Sequence, residues 1–280
     1  MTINIKEERI YNFLRIFYLL KLGFFSWYFQ NYFHQYELAD SGHIIIVSLL
    51  EKIIVSNTDF IMFSLSYLFV LLFVIYKPYS SKIRLIEAIV SVLFLGLLYN
   101  AYEMGSSMFT LLYCSFPLSF LKPSRIQTPI KIALDLHLIS YVVAGFWKLV
   151  EFIHKLIDYQ NFEEYITNIF SNHVSLKAIQ IGNMNPIISW FISLDVSIKS
   201  ILWISVIIFQ LLMAIPIIKS NYHLIFGYLI IIFHFLTLLF MDINFFESQL
   251  LTGVLFFIGA PLMNEEKDLV FGGKPPPLKS

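Results

Sequence analysis

Long apolar runs alternate with short polar loops along this chain, and about eight of them approach the ~20 residues a helix needs to cross a ~30 Å hydrocarbon core. They cover roughly Ile10–Tyr28, Phe60–Tyr76, Arg84–Tyr102, Ser106–Leu121, Pro129–Phe152, Ser200–Ile218, His223–Met241 and Phe246–Leu262. Between the first two lies His43–Val55, about a dozen residues long, which suits an interfacial or re-entrant segment better than a span. The longest polar stretch, His154–Asn185, carries Asp158, Glu163, Glu164 and His173 and predicts amphipathic helices lying on the membrane surface. The pattern therefore predicts an all-α fold: a multi-pass membrane helical bundle of about eight transmembrane helices, with a surface amphipathic segment between the fifth and sixth. Residues 1–263 form one transmembrane domain, and the Pro/Gly-rich tail, 264–280, is expected to be disordered.

Composition supports this class, since 58% of the 280 residues are hydrophobic and only 14% charged, against the roughly quarter-charged average of soluble domains. The N-terminal stretch mixes acidic and basic residues and lacks a cleavage site of small residues, so it reads as a retained first span. No Lys/Arg cluster large enough to hold a phosphate backbone occurs, which excludes nucleic acid as a partner. The single cysteine, Cys114, cannot pair within the chain, so intramolecular thiol exchange is excluded. Loop charges set the orientation. With the N-terminus inside, the inner loops collect Lys77, Lys82, Arg84, Lys122, Arg125, Lys131 and Lys219, whereas the outer ones collect Glu37, Asp40, Glu51, Asp59, Glu103 and Asp195. Both termini are expected in the cytoplasm and the chain in the plasma membrane.

The fifth span carries the candidate chemistry. In DLHLISYVVAGFWKLVE, His137, Tyr141, Ala144, Lys148 and Glu151 follow one another at helical spacing and fall on one stripe. Charged side chains facing hydrocarbon cost about 2.5–3.5 kcal/mol each, so this stripe is expected to face a bundle interior or a wet cavity. At 1.5 Å per residue Lys148 stands ~25 Å above Lys131, near the outer boundary, and His137 only ~9 Å above it. His234, ~16 Å along the seventh span, comes level with Tyr141. A pocket open to the outer side and lined by Tyr141, Lys148, Glu151 and His234 forms if the fifth and seventh spans are neighbours.

The run YVVAGFWKL, Tyr141–Leu149, resembles the signature of the vitamin K-dependent gamma-carboxylase-like transmembrane superfamily, also called the horizontally transferred transmembrane domain. Arg15 with Gly23 in the first span, and His234 leading through Asp242 to Phe245 and Phe246, are similar to other parts of that pattern in the same order. Within the superfamily, Gly105, the apolar run after it, and Lys122 with Arg125 are similar to small bacterial membrane proteins that help mature the sporulation-delaying peptide toxin. The resemblance implies that Lys148 holds the position of the base in the carboxylases, that a lipid quinone is the cofactor, and that an exported peptide and a partner maturation protein are the partners. A desolvated lysine suits a base, because burial favours its neutral form. Departures are specific too: Trp147 replaces a lysine of the carboxylases, Met104, Gly105 and Ser106 stand where an Asn-His pair is expected, and the large extramembrane domain has no counterpart here. Full vitamin K carboxylation is therefore not expected.

Plainer roles weigh against each assignment. Lys148 is long enough to snorkel to outer headgroups, and His137 and His234 also suit interhelical hydrogen bonding. Arg15, Glu87 and Asp135 lie in the inner thirds of their spans and are expected to pair with one another as structural charges, while Lys21, near mid-membrane, has no obvious partner in the sequence. Trp27, Tyr28 and Trp190 read as interface anchors. Two functions follow. One is a membrane enzyme, or a component of one, that modifies or matures an exported toxin- or bacteriocin-like peptide at the outer face, with Lys148, His234, Tyr141 and Glu151 as its site. The other is a non-catalytic assembly partner or a small-molecule transporter.

Overall fold

A computed structural model describes residues 5–32, 57–102, 106–157, 162–169, 186–241 and 245–263. The expected segments at 36–55 and 170–185, the positions Met104, Gly105, Asp242 and His173, and the tail from 264 lie outside these residues. Among the described residues every named element is helical, and the one extended feature is an isolated bridge between Lys122 and Arg125.

The expected spans fall on helices, the sixth on two and the eighth on a short one continued by a π-helical turn. They are α1 (Ile5–Tyr32), α2 (Asn57–Tyr76), α3 (Ser81–Tyr102), α4 (Ser106–Ser119) and α5 (Gln127–Ile157). After a short helix α6 at 162–169 come α7 (Pro186–Ile192), α8 (Val196–Leu212), α9 (Ala214–Ile218), α10 (His223–Met241) and α11 (Phe246–Thr252). Among the described residues four helical stretches are long and apolar enough to cross a membrane: Gln127–Ile157, Val196–Ile218, Ser220–Phe240 and Phe246–Met263. These are the features of a membrane protein. A shorter apolar helical stretch, Ile61–Tyr76, accompanies them, and α1 carries Arg15 and Lys21 within its apolar run.

Local chemistry sets several helix ends. Asp195 caps α8, its side chain accepting from the Ser197 amide at 2.8 Å. That backbone hydrogen bond favours the ionised carboxyl and holds it below its ordinary pKa. The break at Met213 between α8 and α9 falls where Pro216 has no N–H to offer the carbonyl of Leu212. Pro129 sits in the first turn of α5, where a missing N–H costs nothing.

The chain divides into two compact units, Met1–Leu136 with Leu250–Ser280, and His137–Gln249. In the first, α1 buries Ile10, Phe13, Leu14, Phe17, Tyr18, Phe24 and Phe25, a stripe of three- and four-residue spacings that marks one helix face. A π-helical turn, Gly253–Gly259, continues α11, and Gly259 packs against Phe13 and Ile130. A Cβ there would sit 3.2 Å from the Phe13 ring, so the backbone approaches that ring closely. In the second unit Phe152, Ile166, Phe191, Trp203 and Ile207 form a buried apolar cluster.

Candidate functional site

Tyr141 is the hub of the second unit. Its hydroxyl lies 2.6 Å from His234 Nε2 on α10 and 2.7 Å from Ser248 Oγ on α11, so α5 and α10 are neighbours, the condition set by the expected pocket. The His137 ring meets the Tyr141 ring edge to face at 5.4 Å, one turn along α5. His234 is buried, with Phe245 at 4.6 Å and Phe233 at 5.4 Å between ring centroids. A phenol has one proton to share between these two contacts. When Tyr141 donates to His234 Nε2, Ser248 donates to Tyr141 and the imidazole proton sits on Nδ1. When Nε2–H donates to Tyr141, the phenol donates to Ser248. In both cases His234 Nδ1 stays buried without a hydrogen-bond partner among the described residues, and an unmet polar atom in such a place favours a guest able to satisfy it.

Lys148 stands two turns further along α5, ~10 Å from Tyr141 by helix rise. Its ammonium donates to Gln210 Oε1 on α8 at 2.9 Å and lies 5.7 Å from the centre of the Trp203 ring. The amine thus turns inward, onto a neutral acceptor and an aromatic face. Helix packing makes that contact: Gly145, one turn before Lys148, lets α8 approach so closely that a Cβ there would fall 2.8 Å from Gln210 Cβ and 3.2 Å from the Leu211 amide nitrogen. Glu151 is exposed and acts on Lys148 only through electrostatic proximity. Of the four residues expected to line one pocket, Tyr141 and His234 are in direct contact, Lys148 keeps company with Gln210 and Trp203, and Glu151 is exposed. Sequence reasoning missed Gln210 and Ser248. Gln210 is a lone amide in the apolar run VIIFQLL, and that isolation was the available signal.

Replacing Tyr141 by Phe removes both hydroxyl contacts while keeping the ring, and leaves Ser248 and His234 short of a bond. A loss of about 1–3 kcal/mol is expected, read as a lower melting temperature of the purified protein; an unchanged melting temperature would show the hydroxyl to be energetically idle.

A second polar constellation lies in the first unit. Lys21, in the apolar stripe of α1, pairs with Glu87 of α3 at 2.6 Å and donates to Ser91 and to Ser115 of α4, each at 2.7 Å. Ser91 lies 2.6 Å and Tyr67 of α2 lies 3.1 Å from the same carboxylate oxygen, Oε1, and each can donate to it. All three ammonium protons of Lys21 are thereby satisfied. The expectation that Arg15, Glu87 and Asp135 pair with one another is corrected: Arg15 donates to Asn12, Glu87 binds Lys21, and Asp135 binds Lys131 one turn away. The reason is reach, since each finds a partner on its own helix or the facing one.

No group of three or more metal-ligating side chains occurs among the described residues. The fold and the site define an all-helical membrane protein with two buried polar constellations, one ionic and one built on Tyr141. Comparison with family models, with curated proteins and with solved structures finds no match.

Proposed function

We propose that this chain is a multi-pass plasma-membrane protein of eight spans, both termini cytoplasmic, that takes part in modifying or maturing an exported toxin- or bacteriocin-like peptide at the outer membrane face. The observation that carries the proposal is the position of Lys148. Its amine is turned onto Gln210 and the Trp203 ring, with no carboxylate in hydrogen-bond contact among the described residues. An amine held by a neutral acceptor keeps a lone pair within reach once its proton leaves, which is what a general base requires. The resemblance of Tyr141–Leu149 to the gamma-carboxylase-like superfamily supports the same role. A lipid quinone suits the residues present, because His234 Nδ1 and the Lys148 amine are polar groups able to meet its oxygens. Bound there, such a group would supply redox chemistry, while Lys148 would take up a proton at Nζ and Tyr141 would orient His234. A partner maturation protein completes the proposal.

In mass analysis of the exported peptide, Lys148→Ala and Lys148→Arg should each reduce maturation by about 10²–10⁴-fold at unchanged protein level, the range of a lost general base. Maturation at the parental rate in Lys148→Ala would end the base assignment. Reporter fusions after Glu103 and Lys122 should report opposite sides of the membrane.

The second reading is a non-catalytic assembly partner or a small-molecule transporter. It is favoured by Tyr141, whose two hydroxyl contacts both run to other helices, as helix-fastening bonds do. On that reading Lys148→Arg retains function.

A further inference from the structure

Three buried polar atoms on α1 and α3 have no hydrogen-bond partner among the described residues: Tyr18 Oη, Arg84 Nε and Glu87 Oε2. Their residues are 0%, 1% and 0% exposed. Arg84 and Glu87 are three residues apart on α3 and share a face, and Tyr18 lies close enough to both to interact electrostatically. The orphans are therefore neighbours and not scattered defects.

Glu87 is engaged by Lys21. The terminal nitrogens of Arg84 donate to the carbonyls of Pro78 and Leu121, tying the α2–α3 turn to the end of α4, and its electrostatic neighbours are the phenols Tyr18 and Tyr11. The Arg84 Nε–H and the Tyr18 O–H are thus left with nothing to bind among the described residues. Tyr67, Ser91, Ser115 and Cys114, the other polar groups around Lys21 and Glu87, are uncharged hydroxyls and a thiol and supply no counter-charge. Leaving two buried donors unmet is costly, and an anion is able to accept from both.

We infer that Arg84 Nε and the Tyr18 hydroxyl form a binding site for one small monovalent anion, a halide, a short carboxylate or the phosphodiester of a lipid headgroup. The N–H and O–H both donate to it, and a hydrating water serves Glu87 Oε2. This site is independent of Lys148 and of the peptide-maturation proposal.

The experiment follows thermal unfolding of the full chain in zwitterionic micelles at constant ionic strength. Sulfate is exchanged for chloride or formate in one arm, and phosphatidylglycerol is added without halide in the other. A saturable rise in melting temperature is expected. Dependence on chloride or formate identifies a free anion, and dependence on phosphatidylglycerol alone identifies the headgroup. Tyr18→Phe should weaken the apparent affinity about tenfold or more, the effect of losing one charge-assisted hydrogen bond. Arg84→Lys, which keeps the charge but loses Nε–H, should do the same if the Phe variant fails to fold. No saturable shift in the parent overturns the inference, and so does a folded variant that binds as the parent does.

Discussion

Lys21→Met is expected to destabilise the protein by about 3–5 kcal/mol, the cost of breaking a buried ion pair and leaving one charge behind. The methionine fills similar space, so the loss comes from Glu87, whose Oε1 keeps Ser91 and Tyr67 within donating distance but loses its cation. Glu87→Gln alone leaves the Lys21 ammonium without its counter-charge and should cost a similar amount. The double variant Lys21→Met with Glu87→Gln should recover most of the loss, because a neutral pair in an apolar setting is often as stable as the ionic one. Unfolding of the four proteins in denaturing detergent measures the coupling. Additive single losses would show that the two side chains contribute separately and that the pair carries no special energy.

Gly145→Ala should be the next most damaging change, at about 1–3 kcal/mol, the usual cost of overpacking a tight contact. The added methyl meets Gln210 Cβ at 2.8 Å and the backbone of Leu211, and neither moves without shifting α8. Because Gln210 holds the Lys148 amine, the same shift should lower any activity that depends on Lys148. The control is Gly23→Ala, where nothing lies within 4 Å of the new methyl. That variant should be stabilised by about 0.5–1 kcal/mol through the better helix propensity of alanine. Thermal melts of the two variants should therefore move in opposite directions, and a loss of equal size in both would mean that close approach at Gly145 is not the cause.

The same glycines show where sequence reading stops. Gly145 and Gly23 are alike in a sequence: each is a glycine inside an apolar helical run. They differ only in whether another helix passes close by. Likewise the apolar run around Gln210 predicts a helix but not that its amide meets an amine 62 residues earlier.

Local features are legible in the sequence. Spacings of three and four residues put Tyr141 and Lys148 on one face of α5 at a set separation, because helix geometry depends only on the backbone. The hydropathy of the runs likewise determined the all-helical class. The partners come from packing: Glu87 for Lys21, His234 and Ser248 for Tyr141, Gln210 and Trp203 for Lys148. Those choices depend on which helices pack together, and packing between distant segments is governed by side-chain shape and by the cost of unmet buried polar groups, neither of which is written in any one stretch of chain.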